Sequence, residues 1–190
     1  MQNTIPIVLL ILIWGVPLSG SLAILLSLNS ASIWAKYGFV TMMPILFLLL
    51  FVTIAGLLSF PAQSRIVRGK YPRLPFHPIY FWRRIYGMCW TSIYYFKPLY
   101  HIVLSIPLLR RYVLRLFGYR GSTEITLYPD TWIRDLPLLK IADGAYLSNR
   151  ATLGTNMCLT DGSILVDQIT IGQNGLVGHL ALVGPGVKLG

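Results

Sequence analysis

No Asp or Glu occurs in the first 123 residues, which carry twelve Lys or Arg. Charge is scarce throughout, at 12% of the chain. A soluble domain carries about 25%, and 55% of this chain is hydrophobic. An ordinary soluble protein is excluded. Cysteine is nearly absent. Cys89 and Cys158 stand 69 residues apart, which excludes a CxxC metal or redox spacing. Both are expected as buried small hydrophobes. Acids begin only at Glu124, and residues 124–190 hold six of them beside four Lys or Arg. Two physically different segments therefore meet near Glu124.

Residues 1–35 carry no charge. The run Ile5 to Leu28 is 24 residues, about 36 Å as a helix. That crosses a hydrocarbon core of roughly 30 Å. Pro17, with Gly15 and Gly20, predicts a kink. Asn29–Tyr37, with Lys36, reads as a polar loop. Phe39 to Phe60 is a second charge-free run. The first run lacks a basic leader and is too long for a cleaved signal peptide. Residues 1–64 are thus expected to form a transmembrane helical hairpin. Arg65, Arg68, Lys70 and Arg73 follow the second run, against one Lys in the loop. The positive-inside rule puts both termini, and everything after Phe60, in the cytoplasm.

Residues 65–123 read as basic, aromatic interfacial helices. Pro72, Pro75 and Pro78 forbid a continuous helix over Tyr71–Pro78. Tyr80, Phe81, Trp82, Tyr86, Trp90, Tyr94, Tyr95, Phe96 and Tyr100 follow, interleaved with Arg83, Arg84 and Lys97. Trp and Tyr favour the headgroup layer. A helix is predicted from Pro98 to Phe117, kinked at Pro107. Leu109, Tyr112, Val113 and Leu116 form its apolar stripe, with Arg110, Arg111 and Arg115 off it. The expected partner is a bilayer with anionic headgroups. Adjacent membrane spans argue against nucleic acid. Re-entry of Ile85–Leu109 into the bilayer is the alternative geometry. His77 and His101 read as interfacial or packed.

From Ile141, every sixth residue is aliphatic: Ile141, Leu147, Leu153, Leu159, Leu165, Ile171, Val177, Val183 and Leu189. Mostly small residues follow them, then a polar or proline slot from Asp143 through His179 to Pro185. A strict period of six fits neither a helix nor an ordinary strand. It fits a parallel β-helix, with aliphatic residues inside and small or polar residues at corners. Leu159–Asp167 fits least and is expected to loop out at Asp161-Gly162. The repeat stops at Gly190 in mid-register. An open coil end exposes unpaired backbone, so a cap or a longer native chain is expected. The fold class is therefore an α+β membrane protein. It has an N-terminal hairpin, interfacial amphipathic helices and, over residues 124–190, a parallel β-helix.

These repeats resemble the hexapeptide-repeat left-handed β-helix acyltransferase superfamily over about residues 141–190. A narrower resemblance covers about 65–190. It runs through "GKYPRLP", "FWRRIYGMCW", "PLLRRYVLRLFGYRG", "LLKIADGAYLSNRATL" and "ITIGQNGLVGHLALVGPGVKLG". This is similar to the membrane-embedded C-terminal region of nonribosomal peptide synthetases of the poly-lysine-synthetase type. Adenylation and carrier domains are absent here, and the usual "GARIG" reads "GYRGS". The resemblance implies a left-handed coil and acyl transfer from acyl-CoA or a carrier-bound acyl thioester, with no resident cofactor. It also implies a homotrimer with sites between subunits.

The superfamily's general base is commonly a histidine. Only His179 lies in the repeat region, so the resemblance points to it as catalytic. Asn156 and Asn174 are weaker polar partners. Arg150 and Lys188 stand near as cations for a carrier phosphate. Some related coils bind zinc through three histidines; one histidine does not, and no metal is expected. Glycines at 172, 175, 178, 184 and 186 fall on corner slots, so they do not form a phosphate loop. The competing expectation is a non-catalytic structural subunit that docks its membrane helices to a larger membrane complex.

Overall fold

The computed structural model describes residues 4–28, 32–74 and 77–190. Two long apolar helices lead: α1, Thr4–Ser27, and α2, Ile33–Gln63. Among the described residues, both are long and apolar enough to cross a membrane. Helix α1 continues through Pro17. The expected loop is shorter than its sequence suggests. Ser32 caps α2, its Oγ accepting from the Ala35 N–H at 3.3 Å. Lys36 therefore stands in the first turn of a helix. Asn29–Ala31 lie outside the described residues, as do Pro75 and Phe76.

Three shorter helices follow: α3, Pro78–Tyr95, α4, Lys97–Ser105, and α5, Pro107–Leu116. Each has proline in its first two positions, where a missing N–H costs nothing. His77 caps α3, its Nδ1 accepting from the Ile79 N–H at 3.3 Å. The predicted helix from Pro98 to Phe117 is broken rather than kinked. Ile106 is extended, with φ −104° and ψ 109°, as the residue before a proline favours.

Helix α3 runs antiparallel to the C-terminal half of α2. The Arg65 guanidinium lies 4.9 Å over the Trp82 ring at one end. Phe51 and Phe96 meet at 6.2 Å at the other. Helix α5 runs back. Thr53 Oγ1 and Tyr112 Oη are 2.9 Å apart, and Gln63 Nε2 donates to the Leu116 carbonyl at 2.8 Å. Gly56 permits this approach, because a Cβ there would overlap Leu116. The predicted stripe of α5 is rotated. Val113 and Leu114 are buried, whereas Tyr112 is exposed and Leu109 and Leu116 are only partly covered.

The C-terminal region is rich in short strands. They are β2 (Thr126–Leu127), β3 (Trp132–Ile133), β4 (Leu139–Ile141), β5 (Tyr146–Leu147), β6 (Thr152–Leu153), β7 (Asn156–Cys158), β8 (Ile164–Val166), β9 (Ile169–Ile171), β10 (Leu176–Val177), β11 (Leu182–Val183) and β12 (Lys188–Leu189). Nine of them make three parallel sheets, ordered β10-β5-β2, β11-β6-β3 and β12-β9-β4. The chain visits the three sheets in turn. The register stacks Leu127, Leu147 and Val177 in the first sheet. It stacks Ile133, Leu153 and Val183 in the second. Ile141, Ile171 and Leu189 align in the third. All but Leu189 are buried. Each buried aliphatic stabilises by about 1.5–3 kcal/mol.

Leu159 and Leu165 leave this ladder. Strands β7 and β8 form an antiparallel hairpin that also pairs with β1, Gly69–Tyr71, from the α2–α3 connection. The loop-out expected there is present, with a turn at Gly162 (φ +78°). Cys158 lies on the hairpin and is exposed, contrary to expectation; Cys89, on α3, is buried. The cause is that Cys158 belongs to the insertion rather than to a core-facing slot.

Candidate functional site

Five of the passages between sheets are two-residue turns whose second residue is left-handed, at Gly144, Arg150, Asn174, Leu180 and Gly186. Glycine and asparagine adopt this conformation at little cost, but a bulky side chain there is an outlier. His179 and Leu180 form one such turn, between β10 and β11. Below it in the same column stand Asn149-Arg150 and Pro129-Asp130, since all three turns join the first sheet to the second.

Lys97, the first residue of α4, anchors the base of this column. Its Nζ is 3.2 Å from Asp130 Oδ1, donates to the Pro129 carbonyl at 3.1 Å, and lies 3.9 Å over the Tyr94 ring. Strands stack at about 4.8 Å, so His179 lies roughly 10 Å beyond that base. It is exposed. Leu176 on β10, Leu180 in the turn and Leu182 on β11 flank it in sequence and are 69%, 66% and 74% exposed. An imidazole on an outward turn, with open leucines on the strands to either side, can exchange a proton with a solvent-delivered group beside an apolar chain.

Of the residues singled out in the sequence, only Arg150 shares the His179 column. Asn156 is on the hairpin and accepts from Arg83 Nη2 at 2.7 Å. Asn174 belongs to the turn between the third and first sheets, and Lys188 is on β12 of the third sheet. Among the described residues, no three His, Cys, Asp or Glu side chains cluster to hold a metal.

A second polar cluster joins α3 to the strands. Arg83 Nε and Nη2 donate to Asp135 Oδ2 at 3.0 and 2.5 Å, and Thr155 Oγ1 donates to the same oxygen at 2.6 Å. Asp135 is fully buried and Arg83 is 5% exposed. Nearby, Trp90 Nε1 donates to the Ile133 carbonyl at 2.6 Å and Tyr86 Oη to the Phe117 carbonyl at 2.9 Å. Burial, reinforced by the Asp135 charge, pushes the Tyr86 phenol well above its ordinary value. These buried groups bind α3 to the strand region and to the end of α5. The "FWRRIY" and "IRD" segments offered no spacing that would have paired them. No family model, no curated protein and no solved structure matches the chain.

Proposed function

We propose that this chain is a membrane-anchored acyltransferase of the hexapeptide-repeat class, with His179 as general base. In this reading α1 and α2 cross the bilayer as a hairpin. The basic residues after α2 keep both termini on the cytoplasmic side. The three parallel sheets are the faces of a left-handed β-helix, and copies of the chain assemble around it as a trimer. Acyl-CoA or a carrier-bound acyl thioester is the donor.

The observation that carries the reading is the His179-Leu180 turn. Leu180 holds a left-handed backbone at φ 59° while 66% exposed. Strain of about 1–2 kcal/mol is kept here and again at Arg150 (φ 58°) in the turn below, so two bulky left-handed residues share the column that carries the outward histidine. The acceptor's O–H or N–H gives its proton to the His179 imidazole as its heteroatom attacks the thioester carbonyl. The C–S bond then breaks, and the thiolate leaves with that proton. Removing such a base costs roughly 10²–10⁴-fold. The test is thiol release from acetyl-CoA by protein reconstituted in vesicles that contain phosphatidylglycerol, whose headgroup hydroxyls are offered as acceptor, wild type against His179→Ala. An unchanged rate in the variant removes His179 from the mechanism.

The second reading is a structural subunit. The open leucines at 176, 180 and 182 favour it, since apolar surface of this kind also marks a protein contact. Fixed-stoichiometry co-purification with another membrane assembly, without thioester turnover, would select it.

A further inference from the structure

A trough runs between α1 and α3. Its outer part, about 170 Å³, lies among Ile5, Leu9, Tyr80 and Arg84. Its inner part, about 490 Å³, lies among Leu10, Trp14, Thr91 and Tyr95. Met88 lines both parts, so the two adjoin along α3. From Ile5 to Trp14 the helix rises about 14 Å. Half of a 30 Å hydrocarbon core, one leaflet, is about 15 Å.

The walls are mostly apolar, and Trp14 and Tyr95 bring a polar edge only at the inner end. Thr91 Oγ1 donates to the Gly87 carbonyl at 2.6 Å and Ser92 Oγ to the Met88 carbonyl at 2.8 Å. Both hydroxyls are thereby satisfied within their own helix. Arg84 is the exception, and it stands at the Ile5 end. Arg83 beside it is buried on Asp135, whereas Arg84 is exposed and has no ion-pair partner among the described residues. No acid occurs in the first 123 residues to neutralise it. The complement of an apolar trough one leaflet long, with a guanidinium at its mouth, is an anion on an apolar chain. A guanidinium fork matches a phosphate in two parallel hydrogen bonds.

We propose that the trough between α1 and α3 holds an anionic phospholipid, one acyl chain lying along Met88 and its phosphate on Arg84. This rests on the membrane placement proposed above. The full chain is reconstituted in vesicles of phosphatidylcholine and phosphatidylglycerol in equal parts and washed with alkaline carbonate. It is then released into mild detergent for native mass spectrometry. Loss of the chain in the carbonate wash would overturn the membrane placement itself, independently of the trough. With the chain retained, wild type keeps one phosphatidylglycerol and discriminates against phosphatidylcholine. Arg84→Gln lowers that retention about tenfold, the effect of one charge-assisted contact. Met88→Trp, which fills the trough, lowers it as well. Arg84 is exposed, so its variant carries the test if the tryptophan variant does not fold. Equal retention of both lipids by wild type, or unchanged retention in Arg84→Gln, overturns the proposal.

Discussion

Arg83 and Asp135 are 52 residues apart in sequence and form a buried ion pair, with Arg83 Nη2 2.5 Å from Asp135 Oδ2. The pair locks α3 to the strand region. Removing one partner leaves the other charged and uncompensated, at about 3–5 kcal/mol. Asp135→Ala is therefore expected to unfold at much lower denaturant concentration in detergent. Arg83→Met with Asp135→Leu is expected to recover most of that loss, because no charge is then left buried. Denaturant titrations of wild type and the two variants, followed by tryptophan fluorescence, check this.

Trp90 makes the same junction from two turns further along α3, through its 2.6 Å bond to the Ile133 carbonyl. Trp90→Phe removes the donor and leaves that carbonyl unsatisfied. The expected loss is about 1–3 kcal/mol, measured by the same titration, with no change in membrane retention.

The two thiols differ. Cys158 is exposed, whereas Cys89 is buried and its thiol is pushed up to about 12. The thiolate is the reactive form. Native protein at neutral pH is expected to take one maleimide per chain, at Cys158, and a second only after unfolding. Peptide mapping of the labelled chain checks both the count and the site.

Asp161, at the hairpin tip, is held well below the ordinary carboxylate range. The largest cause is Lys70, 2.5 Å away, and then Ser163. A lowered folded value gives stabilisation that is present above the unfolded pKa and lost as pH falls through the folded one. The tip should therefore stay closed from neutral pH to about pH 5 and open only in stronger acid. Both side chains are half exposed, so solvent screens the pair and the effect is local. Protection of the Ser163 amide against hydrogen exchange should survive mild acid in wild type and be lost at all pH values in Asp161→Ala, which removes the acceptor.

The aliphatic ladder from Ile141 was legible because its slots are also the buried positions of the parallel sheets. Its beginning was not. Ile133 and Ile141 are eight residues apart rather than six. The 3-10 turn Leu136–Leu138 absorbs the extra pair. Strands β2 and β3 therefore fell outside the visible period. The hairpin was disguised in the opposite way. From Leu153 to Ile171 is 18 residues, a multiple of six, so Leu159 and Leu165 stay in phase while leaving the sheets. The exposure of Cys158 followed from the same insertion. Tyr112 and Leu114 exchanged places because α5 packs on both α2 and α4, with Tyr112 meeting Thr53, and a single stripe does not describe two contacts. Of the candidate site, His179 was visible as an odd residue in a polar slot. Its column above Lys97 depends on register across the sheets. The Arg83–Asp135 lock depends on a contact with no local sequence signature.

The central claim is that His179 takes the acceptor's proton in acyl transfer. Its most direct test is release of free thiol from acetyl-CoA by full-length protein in vesicles of mixed phosphatidylcholine and phosphatidylglycerol. The assay compares wild type with His179→Ala, and circular dichroism confirms that both are folded. The account predicts turnover in wild type and a loss of roughly 10²-fold or more in the variant. Equal rates in the two folded proteins, or no thiol release from wild type, would contradict it.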